Sequence, residues 1–343
     1  MLQRTATAQT HPVEPRAACR RRFSVALIAV SLSSCSGQQS ALAPAGEEAE
    51  AIFGLLLVAV IGGLFIWCGV IGLLVYAGRA NRRVCSDRTG QRLILWGGAL
   101  GPAIILTVLL AYALWLMPGT RPWFRGDGGD TVRIAVRGEQ FWWRIAYLGP
   151  DGDELFQTAN EIRMPVGKRI EFALTSTDVI HSFWIPSLAG KMDMIPGRTN
   201  VLSMTATRPG IYRGPCAEFC GTSHALMAFS VIAASPPEFE DWLAEQRLDR
   251  PVANAGADLF RKHGCSACHT VRQIGARGTL GPDLSNLGAR QTVGAGILPN
   301  TKDNIALFIR DAAVVKPGAR MPSFAMLPPA DISAIADFLK GLK

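Results

Sequence analysis

The sequence predicts a multi-domain membrane protein: a two-helix transmembrane hairpin, then an all-β domain, then a small all-α domain. Three observations carry this. Residues 51–77 and 93–117 contain no charged residue, and each stretch exceeds the ~20 residues that cross a hydrocarbon core. Residues 130–234 alternate apolar and polar side chains between Pro/Gly turns. Residues 256–343 carry helical apolar spacing instead.

The chain has 343 residues and a formal charge of +8, unevenly placed. Residues 1–34 hold five Arg and one Glu, a net +4, and residues 78–92 hold five Arg and one Asp, another +4. Arg20, Arg21 and Arg22 precede a short apolar run, Phe23 to Leu32, in the pattern of a secretory signal over 1–34. Leu32-Ser33-Ser34-Cys35 is similar to a lipobox, with Cys35 as the lipidated residue; cleavage near Ala41-Leu42-Ala43 or Ala45 is the other reading. The second basic cluster lies between the two spans, and the positive-inside rule places it in the cytoplasm. Everything after Met117 then faces outward. The excess of Arg therefore marks targeting and topology, and no nucleic-acid partner is expected. Gly62, Gly63, Gly69 and Gly72 suit close helix approach or are ordinary membrane-helix composition.

In the exported part, Val132 to Val136 and Ile170 to Leu174 alternate as strands. Gly149-Pro150, Pro196-Gly197 and Pro209-Gly210 mark turns. Many short strands predict a sandwich or barrel. A short helix is expected from Glu238 to Arg247, ending a domain over 130–247, and 248–255 is expected to be a linker. Within 256–343, helices are expected at Ala255 to His263, Thr301 to Val314 and Pro329 to Leu342. Ile332, Ile335, Phe338 and Leu339 form a stripe expected to be core.

Between Cys216 and Met227 runs C-A-E-F-C-G-T-S-H-A-L-M. Two thiols, an imidazole (His224) and a thioether within twelve residues make a soft ligand set, which favours copper. His181 supplies a second imidazole upstream, in D-V-I-H-S-F-W-I-P. One copper needs one thiolate, so Cys216 and Cys220 suit a bridged pair of coppers. A structural zinc site rarely recruits methionine.

Cys265-Ser266-Ala267-Cys268-His269 is the C-x-x-C-H attachment signature of c-type haem. The two cysteines would form thioethers and His269 would be the proximal iron ligand. Met321, in R-M-P-S-F, suits the distal position, and Met326 is its competitor. A thioredoxin-like redox pair is the weaker reading. Of eight cysteines, these two pairs account for four. Cys19 and Cys35 fall in or beside the leader, Cys68 in an apolar span and Cys85 in the basic loop. No exported pair remains for a disulfide framework. Of the five histidines, His11 lies in the leader and His263 is expected at the surface.

These motifs together make the chain similar to cytochrome c oxidase subunit II in the form fused to a C-terminal cytochrome c. The resemblance implies a cupredoxin-like domain, a class I cytochrome c domain and a bacterial inner-membrane location with both metal domains on the periplasmic face. It implies a CuA site of two copper ions held by His181, Cys216, Cys220, His224, Met227 and the Glu218 carbonyl. It implies that the Glu218 carboxylate helps bind magnesium at a contact with subunit I. Lys191 to Arg198 resembles the family's K-x-D-x-x-P-G-R segment, with Asp193 and Arg198 near that contact. Gln140-Phe141-Trp142-Trp143 resembles the aromatic run where electrons arrive. Phe141 stands where the family commonly has Trp, so three readings stay open: Trp142 or Trp143 takes that role, the attached cytochrome enters elsewhere, or all three aromatics simply pack. Gly281-Pro282-Asp283-Leu284 resembles the loop whose carbonyl, on Pro282, accepts the N–H of the proximal histidine. The implied function is electron transfer from a reduced cytochrome or other outer-face donor, through haem c and copper, to subunit I. There oxygen is reduced with proton translocation, and subunit III is a further expected partner. A copper-containing nitric oxide reductase subunit is the second reading. A copper-delivery protein and a freestanding carrier are weaker ones.

Overall fold

The computed structural model describes residues 37–79, 86–120, 131–248 and 250–343. The leader, Cys35 and residues 80–85 of the basic loop, Cys85 among them, lie outside the described residues.

Helix α1 spans Glu47–Arg79. The second span begins as α2 (Asp87–Leu93), passes through π-helical turns at Ile94–Leu100 and continues as α3 (Gly101–Thr120). Both helical rods run past the charge-free stretches. Acidic Glu47, Glu48 and Glu50 sit in the first turn of α1 and Arg79 in its last, the ends where each sign is favoured by the helix dipole. Phe65, Trp115 and Ile94 are 84%, 74% and 72% exposed. Such apolar surface has no protein cover and suits lipid. Both rods are long and apolar enough to cross a membrane.

The start of α1 is anchored to the β domain. Glu48 accepts the Thr205 backbone N–H at 3.0 Å, and the Ala49 N–H reaches the Leu188 carbonyl at 3.1 Å. Gly46 permits this approach, since a Cβ there would lie 2.3 Å from the Leu188 oxygen.

Strands β1 (Val132–Glu139), β2 (Trp142–Leu148), β3 (Glu154–Ala159), β5 (Arg169–Ser176) and β8 (Asn200–Thr205) form one sheet in the order β3-β2-β1-β5-β8. Strands β4 (Glu161–Pro165), β9 (Gly210–Pro215) and β10 (Ala228–Ala234) form a second, ordered β4-β10-β9. A hairpin pairs β6 (His181–Phe183) with β7 (Met192–Met194). Strand β5 alternates buried and half-buried residues along its whole length, which is the alternation seen in Ile170 to Leu174. Between the sheets lie Trp143, Phe172, Phe183 and Phe229, all fully buried. The turn at Pro196-Gly197 places Gly197 at φ 77°, where glycine carries no Cβ penalty.

Helix α4 spans Pro236–Gln246 under a Ser235–Glu238 capping box. It starts two residues before the expected Glu238 because proline is tolerated in a first helical turn. The C-terminal segment packs α5 (Ala255–Lys262), α6 (Lys302–Arg310), α7 (Ala312–Val315) and α8 (Pro329–Gly341) around one core. The expected helix over 301–314 is two helices. Asp311 accepts the Ala313 N–H at 3.1 Å and caps a new start, a residue type that favours that position. The α8 stripe is core: Ile332, Ile335, Phe338 and Leu339 are all buried. Helix α5 crosses α8 at Gly256, where a Cβ would stand 2.3 Å from the Ala334 carbonyl.

One expectation is corrected. His263 is not a surface residue: its side chain is 15% exposed and pairs through Nε2 with Asp331 at 2.9 Å. Sequence spacing does not show this, because Asp331 lies on α8, 68 residues away. The segment 248–255 is tied to the helical segment that follows it. Val252 packs on its core, and the Val252 N–H reaches the Gln273 carbonyl at 3.2 Å.

The helical segment is seated on the β domain through buried polar contacts. Glu161 accepts the Gln291 N–H at 2.7 Å, Asn286 donates to Gln246 at 2.6 Å, and the Ala228 N–H reaches the Ala295 carbonyl at 3.0 Å. Burial pushes Arg290 down to about 10, opposed by Asp283 and Glu161, and pushes Glu161 up. Satisfied polar groups of this kind fix one arrangement, because breaking it leaves them unpaired in a low dielectric.

Candidate functional site

Strand β9 ends at Pro215, and Cys216 continues its pairing beside β10, its N–H donating to the Met227 carbonyl at 2.8 Å. The chain then loops through Glu218 and Cys220. A 3₁₀ turn at His224–Leu226 brings it back to Met227 at the start of β10. Gly221, at φ 124°, makes the sharp bend, and a Cβ there would meet Gln140 and Phe141 at 3.0 and 3.2 Å. From the opposite side, β6 delivers His181.

Six donors converge there. The two thiol sulfurs are 3.9 Å apart. Cys216 Sγ lies 3.9 Å from His181 Nδ1 and 3.2 Å from the Glu218 carbonyl oxygen. Cys220 Sγ lies 3.7 Å from His224 Nδ1 and 3.8 Å from Met227 Sδ. Each thiol thus has one imidazole and one weaker donor of its own. Among the described residues, His181, Cys216 and Cys220 form the group of His, Cys and carboxylate atoms close enough to share a metal. The hydrogen bond from Cys220 lowers Cys216 to about 3 despite burial, while the same neighbour and burial raise Cys220. Protein groups alone therefore stabilise one thiolate here. A second anion 3.9 Å away calls for cations between them. The donor chemistry fits a copper pair.

Three residues that sequence reasoning missed shape the site. Asp178 binds His181 Nε2 at 2.8 Å, which turns Nδ1 toward the sulfurs and fixes the ring. Asp178 also accepts the Gln140 N–H at 2.7 Å, and Gln140 Nε2 reaches the Cys220 carbonyl at 2.6 Å. Burial raises the Asp178 carboxyl, but the Gln140, His181 and Val179 hydrogen bonds outweigh it and hold the group low. Gly138 on β1 makes room for the ring, since a Cβ would stand 2.7 Å from His181 Cδ2. An Asp three residues ahead of a candidate ligand was the available signal; Gly138 offered none.

The aromatic run divides. Trp143 is fully buried, edge-on to the His181 ring at 6.1 Å, so it is a core residue and not a surface contact. Phe141 is buried as well. Trp142 is half-buried with the Arg144 guanidinium 4.7 Å over its ring. Glu218 is half-buried. Asp193 accepts the Ser182 hydroxyl at 2.8 Å and pairs with Lys191 at 3.5 Å, whereas Arg198 is exposed.

In the helical segment, Cys265 opens a 3₁₀ turn after α5 and Cys268 caps it. His269 follows, with Nδ1 2.9 Å from the Pro282 carbonyl, the partner expected for a proximal ligand. Burial lowers His269 against that bond and Asp283, which favours the neutral, metal-ligating imidazole. Gly281 lets the loop close on the ring, as a Cβ would lie 2.5 Å from His269 Cε1. Met321 packs against the core of this segment, while Met326 is 77% exposed. The two half-buried thiols, an imidazole whose proton affinity burial lowers and a thioether packed on the core fit a haem.

Residues 146–234 match the family model described as cytochrome C oxidase subunit II, periplasmic domain, and residues 253–343 match the cytochrome c model. The cytochrome c oxidase subunit 2 of Alkalihalophilus pseudofirmus is 32% identical over 94% of this chain and 97% of its own length. That of Bacillus subtilis is 30% identical over 93% and 96%. The periplasmic domain of subunit II of cytochrome oxidase of Bradyrhizobium japonicum is 31% identical over 36% of this chain and 95% of its own, at a TM-score of 0.32. With a copper-type donor set on a β domain, a haem-type set on a helical one and full-length relatives of a single description, the chain belongs to the cytochrome c oxidase subunit 2 family.

Proposed function

We propose that this chain is the electron-accepting subunit of a haem-copper oxidase, holding two coppers and one covalent haem on the outer face of a bacterial inner membrane. The observation that carries this is the convergence of two imidazoles, a thioether and a carbonyl oxygen on two thiol sulfurs 3.9 Å apart. His181, Cys216, Cys220, His224, Met227 and the Glu218 carbonyl would hold the coppers. Cys265 and Cys268 would carry the haem, His269 and Met321 its iron. When bound, the bridged copper pair and the Met/His haem each supply a one-electron centre, the latter at a raised potential.

The protein's own groups prepare these centres. Asp178 and the Pro282 carbonyl hold the His181 and His269 imidazoles in one tautomer and orientation, which restrains those two rings when charge changes. The aromatic core around Trp143 excludes water from the sulfurs. The hairpin fixes the β domain at the membrane surface through Glu48 and Gly46, next to where a subunit I would lie. Glu218 would offer its carboxylate to a magnesium shared with that subunit, and Asp193 and Arg198 lie in the segment that would meet it. Electrons would come from a reduced cytochrome or other donor; oxygen reduction and proton translocation belong to the assembled complex, with subunit III as a further member. Trp142, with a partly exposed ring, suits electron arrival better than the buried Trp143.

Relatives described as oxidase subunits favour this over a nitric oxide reductase subunit. The presence of His224 and Met227 beside Cys220, in addition to His181 beside Cys216, disfavours a copper-delivery role. Metal analysis with electron paramagnetic resonance on the full chain tests the reading. Two coppers sharing one unpaired electron are expected; a mononuclear spectrum overturns it.

A further inference from the structure

Both loops that flank the haem-type residues touch the copper domain. On the proximal side, Arg144 Nη2 donates to the Thr279 carbonyl at 2.8 Å, two residues before Gly281. On the distal side the contact is closer to the metal ligands. Ser223, fully buried, donates its hydroxyl to the Pro317 carbonyl at 2.5 Å. Gly318, at φ 80°, lies flat on Phe141, where a Cβ would stand 3.1 Å from the ring. Arg320 Nη2 lies 3.7 Å from Asp178 Oδ2. Lys316, itself buried, is occupied with the Gly294 carbonyl at 2.8 Å and steers the segment inward.

Ser223 immediately precedes the ligand His224, and Asp178 orients the ligand His181. Arg320 immediately precedes Met321. The stretch 317–320 therefore joins the two ligand sets through one hydrogen bond, from Ser223 Oγ to the Pro317 carbonyl, and the continuous backbone from there to Met321. A second route, with two non-covalent steps, runs through the Arg320–Asp178–His181 contacts.

We propose that Ser223 is a positioning residue. Its hydroxyl latches the distal loop of the cytochrome segment to the copper loop and sets the coupling between haem and copper. This rests on the metal assignments above. The electron that leaves the haem iron is the one the copper pair gains, and the latch shortens its route without taking part in any bond change. Ser223 has no other hydrogen-bond partner for its side chain among the described residues, so its buried hydroxyl is committed to this contact. An exposed ion pair such as Arg320–Asp178 is weak by comparison.

The test uses the full chain in its purified complex, comparing the parent with Ser223→Ala. Three quantities are read: hydrogen exchange at 316–321, the relaxation enhancement that ferric haem imposes on the copper resonance, and the rate of haem-to-copper electron equilibration after a flash. Loss of the latch should raise exchange at 316–321 by roughly fivefold, the factor for one lost hydrogen bond. It should also weaken the relaxation enhancement and slow equilibration, with the copper and haem spectra themselves retained. Unchanged exchange, relaxation and rate beside retained spectra would overturn the latch. If Ser223→Ala fails to load copper, Gly318→Ala carries the same three measurements from the cytochrome side, since a Cβ there, at φ 80°, would press on the Phe141 ring while the copper loop keeps its own residues. Raised exchange, a weaker relaxation enhancement and slower equilibration there support the latch, and all three unchanged overturn it. The parental spectra test the metal assignments separately.

Discussion

At the scale of single residues, the two candidate distal methionines separate on burial. Met321 packs inward and precedes Pro322, which biases it to an extended conformation suited to a loop. Met326 is exposed and has little to pack on. Met321→Ala should abolish the weak long-wavelength band of sulfur-ligated ferric haem and lower the potential by on the order of 0.1 V, within the ~0.8 V range that axial ligation covers. Met326→Ala should leave both in place; redox titration with visible spectroscopy distinguishes them. On the copper side, Asp178 touches no donor sulfur yet orients His181. Asp178→Ala should weaken copper binding by roughly 10- to 100-fold, the usual cost of losing a partner of a ligating histidine. Competition with a copper chelator measures it, and an unchanged affinity would show that the ring is held by packing against Trp143 alone. Both ligand sets were legible as residue types in the sequence. Asp178 stood in plain view three residues before His181, but nothing in one dimension distinguished it from a solvated loop carboxylate.

At the scale of elements, glycines mark where backbones meet. Gly256 brings α5 onto α8, and a Cβ would stand 2.3 Å from the Ala334 carbonyl. The neighbour is backbone, so it cannot rotate away as a side chain would. Gly256→Ala should destabilise the cytochrome segment by about 1–3 kcal/mol, the usual cost of overpacking. Thermal unfolding followed at the haem absorbance would show it, and an unchanged transition would mean the helices can slide apart. Strand β5 and the α8 stripe were readable from periodicity because one face of each is core. Helix limits were less so. The charge-free criterion stopped at 51 and 77, whereas α1 runs on through acidic and basic turns that its dipole favours. The break at Asp311 came from a cap that looked like an ordinary surface acid.

At the scale of the whole molecule, the arginine asymmetry and the hairpin together set topology. A reporter fused after Arg88 should report a cytoplasmic location and one fused after Val252 an external one. Protease protection or alkaline phosphatase activity in whole cells checks this, and equal locations would overturn the two-span arrangement.

The sequence by itself determined the membrane hairpin, the β-then-α order of the exported part, and the inventory of copper-type and haem-type ligands. These follow from composition, periodicity and fixed spacings, which are properties of neighbours along the chain. Only the tertiary structure decided that Trp143 is core while Trp142 is half-buried, that His263 is paired, and that the cytochrome segment is seated against the copper domain through Ser223, Arg144 and Glu161. Those contacts join residues roughly 70 to 135 positions apart. They depend on which faces the sheets and helices leave open after packing, and a buried polar pair leaves no periodic trace in either partner's local sequence.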